Sequence, residues 1–184
     1  RETEREGERE RKEVSASYLW RSLESLMTRT NADYTLLFRC LSSLSSMNTS
    51  SKALSVLIEE DCFYEVTPTT DDSSAAQDKA ILSTVDTKAW LTWLDLYLTR
   101  LRREGRDEEE RRKEQDSVNP KYVLRNWMAT LAYEAAAKGD YSVLQEIEQV
   151  LRQPYAEQSS HMQQKWARRA PSWARSMPGV AFLS

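Results

Sequence analysis

Glycine is scarce in this chain. Only four of the 184 residues are glycine, and they stand far apart at positions 7, 105, 139 and 179. A loop that cradles phosphates needs several glycines close together, because its backbone must approach the phosphate closely. No such loop occurs, and neither do the His-Arg-Asp and Asp-Phe-Gly sequences of protein kinases. The sequence therefore predicts no nucleotide-binding residues within this chain.

Cysteine and histidine are equally scarce. Cys40 and Cys62 are the only cysteines, and His161 is the only histidine. Two cysteines are too few for a disulfide framework and indicate a reducing compartment. No spacing typical of a zinc site is present, and the serines lack the Gly-x-Ser-x-Gly turn of a hydrolase. We interpret Cys40 as buried, Cys62 as partly buried and His161 as a surface residue of a linker, so we expect no catalytic and no metal-binding residues.

Long apolar runs and an excess of positive charge are also absent. No run approaches the roughly 20 apolar residues that span a bilayer, so we expect a soluble chain with no membrane partner. The net charge is −3, which argues against nucleic acid as a partner. One basic cluster stands beside Trp166 and Trp173 and consists of Lys165, Arg168, Arg169 and Arg175. Two interpretations remain open for it: a tail that stacks on the fold, or a site for phosphate or an acidic surface.

Helical periodicity is what the sequence has in abundance. Four apolar stripes recur at helical spacing. They are Leu19, Leu23, Leu26 and Met27; Leu37, Phe38, Leu41 and Leu44; Leu54, Leu57 and Ile58; and Trp90, Trp93, Leu94, Tyr97, Leu98 and Leu101. Asn31 or Asp33 is expected to cap the second helix, and Asp86 or Thr87 the fourth. The charged residues 100–116 are expected to continue the fourth helix into solvent.

Residues 119–155 predict a helical hairpin. Asn119 is expected to cap its first helix, with Pro120 in the first turn. Gly139 suits the left-handed residue that ends this helix, and Asp140 suits the cap of the next. The apolar stripes of the two helices are Val123, Leu124, Trp127, Met128, Leu131, Ala132 and Ala135, and Val143, Leu144, Ile147, Val150 and Leu151. Their spacing predicts that Trp90, Trp93 and Trp127 are core residues and not ligand-stacking residues.

Together these elements predict an all-α fold of five or six amphipathic helices in an irregular bundle. The predicted organisation is a charged disordered or helical extension (1–14), a helical region (15–64), a flexible loop (65–85), a helical core that includes the hairpin (86–154), and an extended tail (155–184). Trp166 and Trp173 are expected to pin the tail to the helices.

Four stretches of the chain, in order, carry a family resemblance. The longest reads NPKYVLRNW, then an alanine-rich helix, KGDY and VLRQPY; the others are ADYTLLFRCLSSL, WLTWLDLYLTRL and APSWARSM. They resemble the C-terminal region of the selenoprotein O family, over roughly residues 18–177. The resemblance implies a parent enzyme with a kinase-like fold, which uses ATP and Mg²⁺ to transfer AMP to protein hydroxyls. It also implies a mitochondrial location, with any targeting segment outside this chain.

Because the phosphate loop is absent, we expect the chain to be a C-terminal fragment that is inactive alone and holds no cofactor. Its partners would be the kinase-like core of the parent enzyme and, through it, protein substrates. The fragment interpretation predicts an exposed apolar face of several hundred Å². The alternative is a stand-alone helical protein-interaction module without catalysis, which predicts no large apolar patch.

Two further expectations concern a group of docking residues and the C-terminal tail. Arg125 lies off the apolar stripe of its predicted helix, and its guanidinium could pair with a carboxylate across a domain boundary. We therefore expect Lys121, Arg125 and Asn126 to dock the chain against the kinase-like core. Many family members carry selenocysteine or cysteine three residues from the end. Phe182 stands at that position, so the redox tail that the resemblance implies is absent.

Overall fold

A computed structural model describes residues 15–64 and 82–177. The charged extension (1–14), most of the expected loop (65–85) and Phe182 lie outside these residues. Within the described part of the chain the fold consists of nine helices and no strand, which confirms the all-α prediction. More helices occur than the five or six that periodicity predicts, because a turn follows the fourth helix and short helices interrupt the tail.

The helices follow one another with short connections. Their bounds are α1 Ala16–Thr30, α2 Tyr34–Ser43, α3 Ser50–Glu59, α4 Thr84–Glu104, α5 Glu108–Val118, α6 Asn126–Ala136, α7 Ser142–Arg152, α8 Ser160–Trp166 and α9 Ser172–Ser176. Helix α4 packs on α1 and α3, α5 packs on α2, and α7 packs on α6 and α8.

The first core cluster lies among α1–α4 and follows the predicted stripes. Trp90 is fully buried, with the ring of Phe63 edge-on at 5.2 Å and that of Trp93 at 5.9 Å. The indole N–H of Trp90 donates to Thr30 Oγ1 at 3.2 Å, and that of Trp93 donates to the Leu19 carbonyl at 3.0 Å. Both rings are therefore buried with their polar atoms satisfied, as a core position requires.

The cap of α2 is as predicted and the cap of α4 is not. Asp33 caps α2 through a hydrogen bond from the Leu36 N–H at 3.1 Å. Helix α4 is capped by Ser83, whose hydroxyl accepts from the Asp86 N–H at 3.1 Å. The prediction of Asp86 or Thr87 as the cap is wrong: Asp86 lies in the first turn, where a carboxylate also interacts favourably with the helix dipole.

The expected continuation of the fourth helix into solvent is also wrong. Helix α4 ends at Glu104, and Gly105 adopts a left-handed conformation (φ 59°) that reverses the chain. Asp107 then caps α5, which returns to pack on α2. Arg111 is buried there, and its guanidinium donates to the Leu44 carbonyl at 2.5 Å. Most residues of this charged helix are exposed, and it is held to the fold because Arg111 donates to the Ser42 and Leu44 carbonyls at the end of α2.

The first helix of the predicted hairpin begins later than expected. Asn119 ends α5, and the chain is not helical again until α6 begins at Asn126. The backbone N–H groups of Lys121 and Tyr122 both donate to the Pro154 carbonyl, at 2.7 and 3.1 Å. These contacts hold the segment 119–125 as an extended strap across the end of α7. As a result Leu124, predicted on the buried stripe, is 60% exposed.

The rest of the hairpin prediction agrees with the structure only in part: Tyr141, and not Asp140, occupies the cap position of α7, and Leu144, predicted on the buried stripe, is 50% exposed. Gly139 has a positive φ of 80°, and the Asp140 carboxylate accepts from the Ser142 N–H at 2.9 Å at the start of α7. A second core cluster lies between α6, α7 and the tail. Its fully or almost fully buried members are Tyr122, Trp127, Met128, Ile147, Val150, Trp166 and Ala174.

The tail is helical in part, where an extended chain was expected. Ser159 caps α8, and α9 follows after a short connection. Trp166 at the end of α8 is 2% exposed and stacks on Trp127 with ring centroids 5.8 Å apart. Trp173 is 37% exposed. Trp166 therefore pins the tail as predicted, whereas Trp173 lies at the surface.

Candidate functional site

The predicted docking residue Arg125 lies at the junction of the two core clusters. Its guanidinium makes a two-point contact with Asp33: Nη1 to Oδ2 at 2.5 Å and Nη2 to Oδ1 at 2.9 Å. Both side chains are buried, with 7% and 3% of their areas exposed. Because Asp33 caps α2 and Arg125 ends the strap before α6, this ion pair joins the first cluster to the second. The carboxylate partner of Arg125 in this structure is Asp33 of the same chain, where a carboxylate across a domain boundary was expected.

Tyr64 extends this ion pair toward the tail. Its hydroxyl donates to Asp33 Oδ2 at 3.0 Å and accepts from the Ala170 N–H at 3.1 Å. The guanidinium groups of Arg169 and Arg175 lie over its ring, with their central carbons 5.6 and 5.4 Å from the centroid. We call Asp33, Tyr64 and Arg125 the polar junction, since they connect three separate parts of the chain.

The charges of the polar junction depend on each other. Burial raises the pKa of Asp33, but the hydrogen bonds and positive charge of Arg125 lower it more, helped by the Leu36 N–H and the Tyr64 hydroxyl. The net pKa lies below the ordinary value of 3.8. Burial also lowers the pKa of Arg125, and Asp33 more than offsets this, so that pKa is raised. Both groups are therefore charged at neutral pH.

The lowered pKa of Asp33 predicts a loss of stability in acid. A carboxylate whose pKa is depressed by folding stabilises the native state above its unfolded pKa, and this contribution disappears as the pH falls through the folded pKa. The stability difference between the native chain and an Asp33→Asn variant should therefore be constant near neutrality and shrink below about pH 4. Urea denaturation from pH 7 to pH 3 measures it. A difference that stays constant down to pH 3 would contradict the assignment.

Lys121 belongs to a second charged group, beside a cavity of about 430 Å³. Its ammonium donates to Glu157 and to Gln163 Oε1, the latter at 2.8 Å. Glu157 also accepts from Arg39 at 2.8 Å, and Arg39 donates to the Asn119 carbonyl at 3.1 Å. Lys121 thus holds the strap to the start of the tail. We call this space the charged cavity; Arg39, Cys40, Glu60, Arg112, Asp116, Lys121 and Glu157 line it.

Asn126, the third predicted docking residue, begins α6 and is half-buried. Its backbone carbonyl accepts from Thr130 Oγ1 at 3.0 Å. Lys121 and Arg125 therefore lie on the strap and Asn126 begins the helix that follows it, with Arg125 turned inward to the polar junction. The sequence pattern does not predict Asp33 and Tyr64 as the partners of Arg125. The two charged residues do lie within the ADYT and NPKYVLRNW stretches, which is the signal that could have paired them.

Two apolar surfaces remain exposed on the described residues. Trp20, Phe38, Trp93 and Tyr97 line an aromatic groove of about 290 Å³ between α1, α2 and α4. Leu124, Tyr133, Leu144, Ile147 and Leu151 line a hairpin groove of about 410 Å³ between α6 and α7. Leu124 and Tyr133 are 60% and 75% exposed. These grooves, where exposed apolar side chains adjoin one another, are the candidate interaction surfaces of the chain.

The basic cluster of the tail contacts this chain itself. The Lys165 ammonium forms an ion pair with Glu146 Oε2 at 2.5 Å and lies over the Trp166 ring. The central carbon of the Arg168 guanidinium lies 5.2 Å from the centroid of the Trp127 ring. Arg169 bonds Asp61 at 2.8 Å and also donates to the Phe63 carbonyl. These contacts favour the interpretation of a tail that stacks across the fold over that of a phosphate site.

The histidine and the two cysteines form no metal site within the described residues. His161 is exposed on α8, and Cys40 and Cys62 are both buried, Cys62 completely and not partly as expected. The described residues contain no group of three or more His, Cys, Asp or Glu side chains that could hold a metal ion. Among the same residues, no helix is long and apolar enough to cross a membrane.

Comparison with known proteins gives one consistent result. A family model described as protein adenylyltransferase SelO matches residues 3–152. Among curated proteins, the chain is similar to the protein nucleotidyltransferase YdiU of Flavobacterium johnsoniae, at 37% identity over 163 residues, and to that of Aromatoleum aromaticum, at 33% over 163 residues. It is 36% identical over 168 residues to the YdiU protein of Tolumonas auensis.

These matches cover most of the chain and a small part of each relative. The alignments span 89%, 89% and 91% of this chain, but only 28%, 27% and 28% of the three relatives. The chain therefore corresponds to little more than a quarter of the length of the curated proteins that it matches.

Proposed function

The chain belongs to the protein adenylyltransferase SelO family, and we propose that it is the C-terminal helical region of a longer enzyme that transfers AMP from ATP to protein hydroxyls. The observation that carries this proposal is the length of the match: 163 aligned residues make up 89% of the chain and 28% of the relative. The placement at the C-terminal end rests on the resemblance of the NPKYVLRNW and APSWARSM stretches. So does a mitochondrial location.

In the proposed reaction, no bond-forming or bond-breaking step takes place on residues of this region. A Ser, Thr or Tyr hydroxyl attacks the α-phosphorus of ATP, the bond to the β-phosphate breaks, and pyrophosphate leaves while Mg²⁺ stabilises the developing charge. We propose that the kinase-like core of the longer enzyme holds ATP and Mg²⁺. The scattered glycines support this division, because they provide no phosphate-binding loop here.

The proposed role of this region is to support that core through the strap at 119–125. Two ion pairs hold the strap to the rest of the chain, Lys121 with Glu157 and Arg125 with Asp33. Leu124, which lies between them in sequence, is exposed to solvent. Asn126 continues the same edge. We propose that the kinase-like core docks on this edge and on the hairpin groove beside it. Arg125 then contributes by holding the strap in shape and not by direct contact with the core.

The activity itself is tested by comparing this chain with a longer protein that contains it. Each is incubated with ATP labelled on the α-phosphate, Mg²⁺ and an acceptor protein, and transferred label is measured on gels. We expect transfer by the longer protein and none by this chain alone. Absence of transfer by the longer protein, shown to bind ATP, would overturn the proposal.

The docking role predicts that Leu124→Asp acts only in the longer protein. Burying a leucine side chain stabilises by about 1.5–3 kcal/mol, so we expect a loss of that size in the longer protein. In this chain alone Leu124 is exposed, and the change should stay within about 0.5 kcal/mol. Met47→Asp is the matched control, since Met47 is 81% exposed and lies in the turn between α2 and α3. Equal effects of Leu124→Asp in both proteins would contradict docking at this edge.

The alternative, a stand-alone interaction module without catalysis, has less support. It predicts no large exposed apolar patch; the aromatic groove and the hairpin groove are open to solvent, and the family match favours the enzyme-fragment interpretation. If the longer protein transfers no AMP and Leu124→Asp acts equally in both proteins, this alternative becomes the better one.

A further inference from the structure

The two cysteines of the chain face each other in the first core cluster. Cys62 Sγ lies 3.2 Å from Cys40 Sγ, although the residues are 22 positions apart in sequence. The backbone of Cys62 is held on both sides: its N–H donates to the Leu57 carbonyl at 3.0 Å, and its carbonyl accepts from the Asp33 N–H at 2.8 Å. Cys40 is fixed within α2. Cys40 is thus positioned by helix α2, and Cys62 by two backbone hydrogen bonds.

The two thiols differ in access to solvent. Cys62 is fully buried, whereas Cys40 is 8% exposed and contributes to the wall of the charged cavity. That cavity of about 430 Å³ is polar and far larger than one water molecule, so it is the route by which a small polar reagent would approach Cys40. The hydrogen bond to Cys40, burial, and the nearby carboxylates of Asp33 and Glu60 raise the pKa of the Cys62 thiol. Cys62 therefore stays protonated and is shielded from direct attack.

We propose that Cys40 and Cys62 form a reversible disulfide, with a hydroperoxide such as H₂O₂ as the oxidant and Cys40 as the residue that meets it. The Cys40 sulfur attacks one peroxide oxygen, the O–O bond breaks, and the leaving hydroxide takes a proton to become water. The Cys62 sulfur then attacks Cys40, the S–S bond forms, the S–O bond breaks, and the second oxygen leaves as water with the Cys62 proton. Two thiols are oxidised and one peroxide is reduced to two waters.

This disulfide would link the middle of α2 to the segment after α3. Sulfur atoms 3.2 Å apart need to close by roughly 1.2 Å to reach a disulfide bond length, which side-chain rotation can supply in part. The link constrains the unfolded chain and stabilises the first core cluster. It also restrains Phe63, which follows Cys62, and Asp33, whose N–H donates to the Cys62 carbonyl. Oxidation would therefore stiffen the polar junction. The inference is independent of the proposed adenylyltransferase function, because it concerns only residues of this chain.

The test is treatment of the native chain with H₂O₂ followed by intact-mass measurement. We expect a loss of about 2 Da, recovery of the original mass with dithiothreitol, and a Cys40–Cys62 crosslinked peptide after digestion. The melting temperature should rise by roughly 5–10 °C on oxidation and fall back on reduction. A native chain that keeps both free thiols, or that gains oxygen without losing mass, would overturn the proposal.

Two matched variants separate the roles of the two sulfurs. In Cys62→Ser, peroxide should leave a sulfenic acid on Cys40 that dimedone labels, with no rise in melting temperature. In Cys40→Ser, Cys62 should remain unlabelled because it is buried and protonated. Labelling of Cys62 in that variant would refute the assigned order, and disulfide-linked dimers in place of the internal link would refute the pairing.

Discussion

Replacing Arg125 with alanine is expected to lower the free energy of unfolding of this chain by about 3–5 kcal/mol. Removing one partner of a buried ion pair leaves the other charge without compensation, and Asp33 is 4% exposed. The Tyr64 hydroxyl and the Leu36 N–H still bond Asp33, but neither supplies a positive charge. Urea denaturation at pH 7, followed by far-UV circular dichroism, measures the loss.

The matched control is Arg152→Ala. Arg152 pairs with Glu148 at 2.6 Å on the surface of α7, with side chains 74% and 56% exposed. Such a pair contributes only about 0.3–0.5 kcal/mol, so this variant should be nearly as stable as the native chain. The double variant Arg125→Met with Asp33→Asn should recover part of the Arg125 loss, because the buried charge is then removed and asparagine keeps a capping oxygen. Similar losses for Arg125→Ala and Arg152→Ala would show that the polar junction contributes no more than a surface pair.

The apolar stripes of the early helices could be read from sequence because they depend on local spacing. Leu23, Leu37, Leu57 and Trp90 all lie in the predicted core and are buried. Each helix places such residues on one side whatever its neighbours are, so periodicity alone identifies the face. The fold class follows from the same signal.

The polar junction could not be derived in this way. Arg125 and Asp33 are 92 positions apart, and nothing in the spacing of either residue indicates the other. An arginine off the apolar stripe is as consistent with solvent or another domain as with a buried partner. Only the packing of α2 against the strap decides between them.

In the strap, tertiary hydrogen bonds override the local preference of the sequence for a helix. Asn119 followed by Pro120 fits a helix cap and first turn, so the sequence predicts a helix from there. In the structure the N–H groups of Lys121 and Tyr122 bond the Pro154 carbonyl, which lies beyond α7. A helix starting at residue 120 would lose those bonds and would turn Arg125 away from Asp33. The strap is the candidate docking edge, so the misread segment is also the functionally informative one.

Replacing Trp166 with alanine is the second change with a large expected effect. Its ring is 2% exposed and stacks on Trp127, and its N–H donates to Glu146 at 3.3 Å. Truncating a buried tryptophan costs about 3–5 kcal/mol, because it loses apolar burial and leaves a cavity. Trp173→Ala is the control within the same tail: at 37% exposed it should cost less than about 1.5 kcal/mol. Equal effects of the two would mean that the tail does not depend on Trp166.

The Trp166 and Arg125 variants together test whether the two core clusters unfold as one unit. Trp166 belongs to the second cluster, while Arg125 joins that cluster to the first through Asp33. In the Trp166→Ala variant with Arg125 intact, amide hydrogen exchange should be faster in α1–α4 as well as in α6–α7, because the polar junction couples the two core clusters. Once Arg125 is also alanine, the additional loss caused by Trp166→Ala should be confined to α6–α8. A coupling energy near zero in this double-mutant cycle would mean that the clusters are independent, and that the strap transmits no constraint from one to the other.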